Sequence, residues 1–302
     1  MKHLLKLLDL SGEEIIDLLN IADQLKYEHK NNIPHRKLEG KTLAMIFQKS
    51  STRTRVSFES GMYQLGGHAL VMSAADLQMG RGEPIHDTAR VLSRYCDGIM
   101  IRTYSQQEVE NLADAGTIPV INGLTDFCHP CQILADLMTI REYKSGLAGL
   151  KLAFIGDANN MSNSLIVGCL KVGMKISVAC PAEYQFDPRI LEFAENYEGF
   201  ELTTDPNIAA AGADVLETDV WASMGEENEA EKRKRDFAGY QINEGLLALA
   251  NPDCMVLHCL PAHRGEEITA EVFEGHADQI FDEAENRMHA QKAVLLKLLG
   301  SR

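Results

Sequence analysis

Short apolar runs alternating with helical patterns constrain this chain more than any other feature. Runs at 42–47, 69–72, 98–101 and 118–121 have the length of buried strands, and helical patterns near 53–66, 84–95 and 106–114 lie between them. Strands separated by helices indicate right-handed crossovers, and so a parallel sheet covered by helices. Ahead of the first strand, Ser11 followed by Glu14 is a capping-box signature, and Ile15, Leu18, Leu19, Ala22 and Leu25 supply one apolar stripe. After the fourth strand a helix runs from Pro130 to about Tyr143, with Ile133, Leu137 and Ile140 on one face. Beyond a glycine-bearing link at 144–149 the alternation restarts, with strands at 152–155, 176–179, 214–218 and 254–257 and helices near 162–172, 188–197 and 243–250. Ala284, Met288, Leu295 and Leu299 predict a long terminal helix. The expected class is α/β: two doubly wound parallel-sheet domains with the active site in the cleft between them. The first spans 1–134 and the second 135–283, with the helix at 284–302 packing back on the first.

A chain of 302 residues, 45% hydrophobic and 24% charged, can bury a core of that size. Its net charge of −15 argues against nucleic acid or an anionic membrane as partner, and no apolar run approaches the length of a membrane span. The leucines of the first ten residues are interrupted by Lys6 and Asp9, which fits neither a secretory nor a transit peptide. Seven scattered cysteines fit reduced thiols, so the expected location is cytoplasmic. The mixed-charge block Glu226 to Asp236 reads as a solvated helix face, and no short repeat is present.

Ligands of open α/β sheets sit beyond the carboxyl ends of the strands, so the residues there are the candidates. The first strand runs into Ser51-Thr52-Arg53-Thr54-Arg55, where hydroxyls and guanidinium groups crowd a helix N-terminus. Free N–H groups, a positive dipole end and forked arginine donors suit a phosphate or a carboxylate. Because the overall field repels anions, this local cluster must overcome it. Arg102 follows the third strand, and His129-Pro130-Cys131-Gln132 ends the loop after the fourth. Beside a carbonyl substrate His129 could donate to a developing oxyanion. In the second unit Asp157, Asn159 and Asn160 follow one strand, Asp219 to Gly225 another, and His258-Cys259-Leu260-Pro261 the last. Asn159 or Asn160 can equally cap the next helix.

Two rival chemistries are also written in the chain. Cys128 to Cys131 spells C-x-x-C, and Cys254, His258, Cys259 and His263 are further soft ligands, so a redox or zinc-binding protein is the alternative from another class. Neither role accounts for the arginines. Gly156-Asp157-Ala158-Asn159-Asn160 stands where a dinucleotide fingerprint would, with only one of its glycines.

Taken together, Ser51-Thr52-Arg53-Thr54-Arg55, His129-Pro130-x-Gln132, Asp219-x-x-x-Ser223-Met224-Gly225 and His258-Cys259-Leu260-Pro261 resemble, in order and spacing, the motifs of ornithine carbamoyltransferases. The likeness spans nearly the whole chain, including Gln78 to Glu83 and Glu285-Asn286-Arg287; Gln48 stands where many relatives carry Glu. The resemblance implies transfer of the carbamoyl group from carbamoyl phosphate to the δ-amine of L-ornithine, giving L-citrulline and phosphate. No metal or organic cofactor is implied. Another amine such as putrescine is the alternative acceptor. Carbamoyl phosphate is expected on Ser51, Thr52, Arg53, Thr54, Gln78, Arg102, His129, Gln132, Cys259, Leu260 and Arg287, and ornithine on Asn160, Asp219, Ser223 and Met224. Arg102, His129, Cys259 and Asp219 are the expected catalytic residues. The resemblance further implies a homotrimer in which the Gln78 loop reaches a neighbour's site.

Overall fold

The computed structural model describes residues 1–74, 77–78, 82–222 and 227–300. The chain divides into two compact units, Met1–Ala135 with Asn286–Arg302, and Asp136–Glu285. Among the described residues no helix is long and apolar enough to cross a membrane.

In the first unit α1 (Gly12–Lys30) opens on the capping box seen in the sequence: Ser11 accepts from the Glu14 N–H, and the Glu14 carboxylate accepts from the Ser11 N–H. Its stripe from Ile15 to Leu25 is buried. There follow β1 (Thr42–Phe47), α2 (Thr52–Gln64), β2 (His68–Ser73), α3 (Ile85–Tyr95), β3 (Gly98–Arg102), α4 (Gln106–Ala115), β4 (Val120–Leu124) and α5 (Pro130–Lys144). The four strands are parallel in the order β2-β1-β3-β4. The chain thus leaves β1 on one side and returns on the other, which makes β1/β3 the switch point where such sheets open a crevice.

The fourth strand lies two to three residues later than its apolar run suggested. Asn122 and Gly123 belong to it, and the Asn122 side-chain nitrogen is held there by donating to the Leu5 carbonyl at 2.8 Å and to Gln106 Oε1 at 3.2 Å. The β3–β4 register shifts between Ile101 and Arg102, so Gly123 is bulged out opposite them. A Cβ on Gly123 would stand 2.6 Å from Met100 Sδ and 3.2 Å from the Ile101 carbonyl oxygen, so a side chain there would force Met100 to move.

The second unit contains β5 (Lys151–Ile155), α6 (Asn160–Lys171), β6 (Lys175–Ala179), α7 (Pro188–Ala194), β7 (Phe200–Thr203), α8 (Pro206–Ala210), β8 (Val215–Thr218), α9 (Ala230–Asp236), α10 (Glu244–Leu247), β9 (Met255–His258) and α11 (Ala270–Gly275). Its parallel order is β7-β6-β5-β8-β9, with the switch at β5/β8. The strand β7 and the short helices α8 and α11 have no counterpart in the sequence reading. As an edge strand half open to solvent, β7 (Phe-Glu-Leu-Thr) shows no apolar run. The last helix, α12 (Ala277–Leu299), begins one turn and more before its stripe, and the unit boundary falls within α5 and within α12.

One buried cation stands out in the first unit. Lys292 of α12 is fully buried, with Nζ 2.9 Å from His35 Nε2 and 2.9 Å from Gln64 Oε1. The other His35 nitrogen lies 2.8 Å from the Ile33 carbonyl and must donate there, so Nε2 accepts from the lysine. Gly61 makes room for the lysine stem, since a Cβ there would meet Lys292 Cγ at 3.1 Å. Burial lowers the Lys292 pKa from 10.5 to about 8; Glu28 opposes that shift and Lys37 adds to it. Between those values the unfolded chain binds more protons than the folded one, so this residue makes stability rise with pH from about 8 to about 10.5. Below that window the charged form is penalised throughout. In urea unfolding at several pH values, the stability advantage of Lys292→Met over the parent should therefore shrink as pH rises through the window; a difference independent of pH would contradict the assignment.

Candidate active site

The first constellation stands at the β1/β3 switch point. Ser51 caps α2: its Oγ accepts from the Thr54 N–H at 3.2 Å and lies 3.0 Å from Thr54 Oγ1. Thr54 is fully buried, whereas Thr52 is exposed and Arg53 half-buried at the start of the helix. Arg55 turns away to pair with Glu59 at 3.1 Å on the surface, so only one arginine of the motif faces the turn. The adjacent β3 ends in Arg102, buried and paired in register with Phe47. Its carbonyl accepts from the Gln48 N–H at 2.9 Å. The Gln48 side chain donates to Glu108 Oε1 at 2.7 Å and lies 2.7 Å from the Thr103 hydroxyl. The glutamine amide thus supplies a donor to a glutamate, which a Glu at that position could not do without a proton.

His129 comes from the loop after β4. Thr125 holds that loop: its N–H donates to the Cys128 carbonyl at 3.0 Å and its hydroxyl accepts from the Cys128 N–H at 3.2 Å. Gln132, fully buried in the first turn of α5, accepts at Oε1 from Arg287 Nη1 at 2.9 Å, and Arg287 Nη2 donates to Thr54 Oγ1 at 3.1 Å. The α12 arginine therefore ties the start of α2 to the start of α5. Burial, then the charges of Arg287, Arg102 and Arg53, lower the His129 pKa well below its ordinary value. At neutral pH it is an uncharged imidazole, able to donate one hydrogen bond without taking up a proton.

Cys128 and Cys131 are both buried, and burial pushes both thiols up to about 12. Reactive C-x-x-C pairs need the opposite shift. Here the two serve packing and the loop: Asn122 Nδ2 lies 3.3 Å from Cys128 Sγ.

The second constellation stands at the β5/β8 switch point. Asn159 caps α6, accepting from Met161 N at 2.9 Å and Ser162 N at 3.2 Å, while its amide donates to Asp219 Oδ2 at 3.1 Å. Of the two candidates in the sequence, Asn159 is thus the cap and also contacts Asp219, and Asn160 is the first residue of the helix. Asp219, just past β8, accepts at Oδ1 from Val220 N at 2.8 Å and from the Cys259 thiol at 3.1 Å. Burial, then Asp219 and Glu283, push that thiol well above its ordinary range. Leu260 takes the left-handed backbone at φ 59, a conformation costing on the order of 1–3 kcal/mol for a residue with a Cβ. It is held there by donation from its N–H to His258 Nδ1 at 3.0 Å.

Two residues of this unit escaped the sequence reading. Glu217, fully buried within β8, has its pKa raised well above the usual carboxylate value by burial, then by Asp136 and Glu283. Its signal was a lone glutamate in an apolar strand. Arg233 is also buried: it donates to Asp157 Oδ2 at 2.7 Å and to the Trp221 carbonyl at 3.0 Å, so the charged block at 226–236 is not wholly a solvated face. Gln78 is exposed, with its carbonyl accepting from Glu83 N at 3.0 Å. Ser223 and Met224 lie outside the described residues.

The shift at Cys259 gives a direct test. Iodoacetamide at about pH 8 should modify Cys259 far more slowly than a free cysteine of pKa about 8.5, and Asp219→Asn should speed it, as followed by mass spectrometry. Modification at the free-cysteine rate would contradict the assignment.

Comparison with known proteins shows what the two units are similar to. A family model described as the carbamoyl-P binding domain of aspartate/ornithine carbamoyltransferase matches residues 2–142, and one described as the Asp/Orn binding domain matches residues 148–298. The chain is 54% identical to an ornithine carbamoyltransferase of Geobacter sulfurreducens and 56% identical to one of Pelobacter propionicus, each alignment covering 99% of both chains. Among solved structures, an ornithine carbamoyltransferase from Pyrococcus furiosus superposes with a TM-score of 0.95 at 52% identity, covering 100% of this chain and 98% of that one.

Proposed function

We infer from membership of the aspartate/ornithine carbamoyltransferase family, to which this chain belongs, that it transfers the carbamoyl group of carbamoyl phosphate to the δ-amine of L-ornithine, giving L-citrulline and phosphate. The observation that carries the reading is the uncharged His129, buried where Arg53, Arg102 and Arg287 concentrate positive charge in a chain of net charge −15. Such a seat suits a dianionic phosphoryl group joined to a neutral acyl carbon. In this reading the first unit binds carbamoyl phosphate and the second binds ornithine.

Ser51, Thr52, Arg53 and Thr54 take the phosphate at the N-terminus of α2. Arg102 and His129 donate to the carbonyl oxygen as it becomes an oxyanion; Gln132 and Arg287 hold the carbamoyl end. Asn160 and Asp219, with Ser223 and Met224, take ornithine, while Cys259 and the Leu260 carbonyl orient the amine and the carbamoyl nitrogen. The reacting amine must first lose a proton. With a lysine-like pKa of about 10.4, this costs roughly 4–5 kcal/mol at pH 7. The amine nitrogen then bonds to the carbonyl carbon, the carbon–oxygen bond to phosphate breaks, and the leaving phosphate accepts a proton. The carboxylate of Asp219, hydrogen-bonded to Asn159 and Cys259, offers a fixed negative charge to the ammonium group. We further propose a cytoplasmic homotrimer in which the Gln78 loop completes a neighbour's site.

The purified protein should form citrulline from ornithine and carbamoyl phosphate, read by phosphate release across a panel of acceptor amines. Turnover of putrescine in preference to ornithine would move the acceptor assignment and leave the family intact. Arg53→Ala should weaken carbamoyl-phosphate binding by about 10–100-fold in calorimetry, the worth of a charge-assisted hydrogen bond. Asp219→Asn should lower kcat/KM for ornithine by a similar factor and leave carbamoyl-phosphate affinity within about twofold. Equal loss of both would make Asp219 a structural residue.

A further inference from the structure

Beyond Pro261 the chain carries a second set of ligand atoms that the transfer reaction does not use. We propose that His263, Glu266 and Glu267 form a binding site for a divalent transition-metal ion of the Zn2+ class. His263 Nδ1 lies 4.0 Å from Glu266 Oε2 and 4.0 Å from Glu267 Oε2. One ligand atom from each of the three residues falls within 4.8 Å of the others.

The independent observation is Glu267. It is fully buried, and its Oε1 accepts from His258 Nε2 at 3.0 Å and from the His263 N–H at 2.6 Å. Oε2 has no hydrogen-bond partner among the described residues. A buried carboxylate oxygen left in this state is costly, and it faces the His263 nitrogen at a distance that a shared ion would bridge. At a tetrahedral ion, ligand bonds of about 2.0–2.2 Å put donor atoms roughly 3.3–3.6 Å apart, so the present spacing needs an inward turn of the ligand side chains. The residues that must turn can do so: the side chains of His263 and Glu266 are 54% and 32% exposed.

The ligand chemistry sets the class of ion. One imidazole and two carboxylates suit Zn2+, Co2+ or Mn2+ better than a soft monovalent ion or an all-oxygen calcium cage. Supporting contacts are also in place. The His258 ring accepts the Leu260 N–H at Nδ1, so Nε2 carries the proton that orients Glu267. Lys234 occupies the other oxygen of Glu266, Oε1, at 2.9 Å and leaves Oε2 for the ion. Bound there, the ion would cross-link His263 to the same glutamate that holds His258, and so stiffen the segment carrying Cys259 and Leu260. The proposal is independent of the acceptor amine and of the chemistry at Asp219.

Chelator-treated protein would be dialysed against Zn2+ and, separately, titrated with Co2+ while its visible absorption is recorded. The site predicts close to one equivalent of ion per chain and a cobalt spectrum without thiolate charge-transfer absorption. His263→Gln and Glu266→Gln should each weaken binding by on the order of tenfold or more, and Cys259→Ser should leave it unchanged. Thermal melts without metal, matching the parent, would show that the variants are folded; both ligand residues are partly exposed, so either variant suffices if the other fails. Absence of Zn2+ binding, unchanged binding in both variants, or loss in Cys259→Ser with a thiolate band in the parent would each overturn the proposal.

Discussion

A parallel sheet cannot be made from hairpins: each strand must return through a crossover, so all the carboxyl ends finish on one edge. That constraint governs both units. In the first, β1 and β3 deliver the Ser51 turn and Arg102 to neighbouring positions, through the register pair Phe47 and Arg102. In the second, β5 and β8 deliver Asn159 and Asp219, whose side chains meet at 3.1 Å. Within each unit, the residues after two adjacent strands are thus placed together by topology alone, and local hydrogen bonds then orient them.

Electrostatics in the first unit runs against the charge of the whole. A chain of net charge −15 gathers Arg53, Arg102 and Arg287 around one buried histidine, and the shared cost appears as the depressed basicity of His129. In the second unit the order is reversed. Glu217, Asp136, Glu283 and Asp219 crowd together, and their charge with burial raises the pKa of both Glu217 and the Cys259 thiol. One cluster therefore concentrates positive charge and the other negative charge, each opposite in sign to one of the two groups that the proposed substrates carry.

The alternation of runs and stripes made both doubly wound units legible, because buried parallel strands are short apolar stretches and their covering helices have one apolar face. Edges and ends were less legible. β7 shows no run because solvent wets it, and Asn122 was read out of β4 because its partners, Leu5 and Gln106, are remote in sequence. The motif residues were visible as types at strand ends. Glu217 was not, since a glutamate in a strand carries no mark of a raised pKa until its neighbours are known.

By itself, then, the sequence determined the class of fold, the strand ends that carry chemistry and the resemblance of its motifs, because each of these is a local pattern of residue types. Only the tertiary structure decided the strand orders β2-β1-β3-β4 and β7-β6-β5-β8-β9, and with them the switch points. It also decided that Arg55 faces Glu59, that Arg287 reaches across from α12 to Thr54 and Gln132, and that Glu267 is buried with one oxygen held by His258. The physical reason is that partners, burial and proton affinity depend on residues far apart in the chain, and no local pattern encodes which of them will meet.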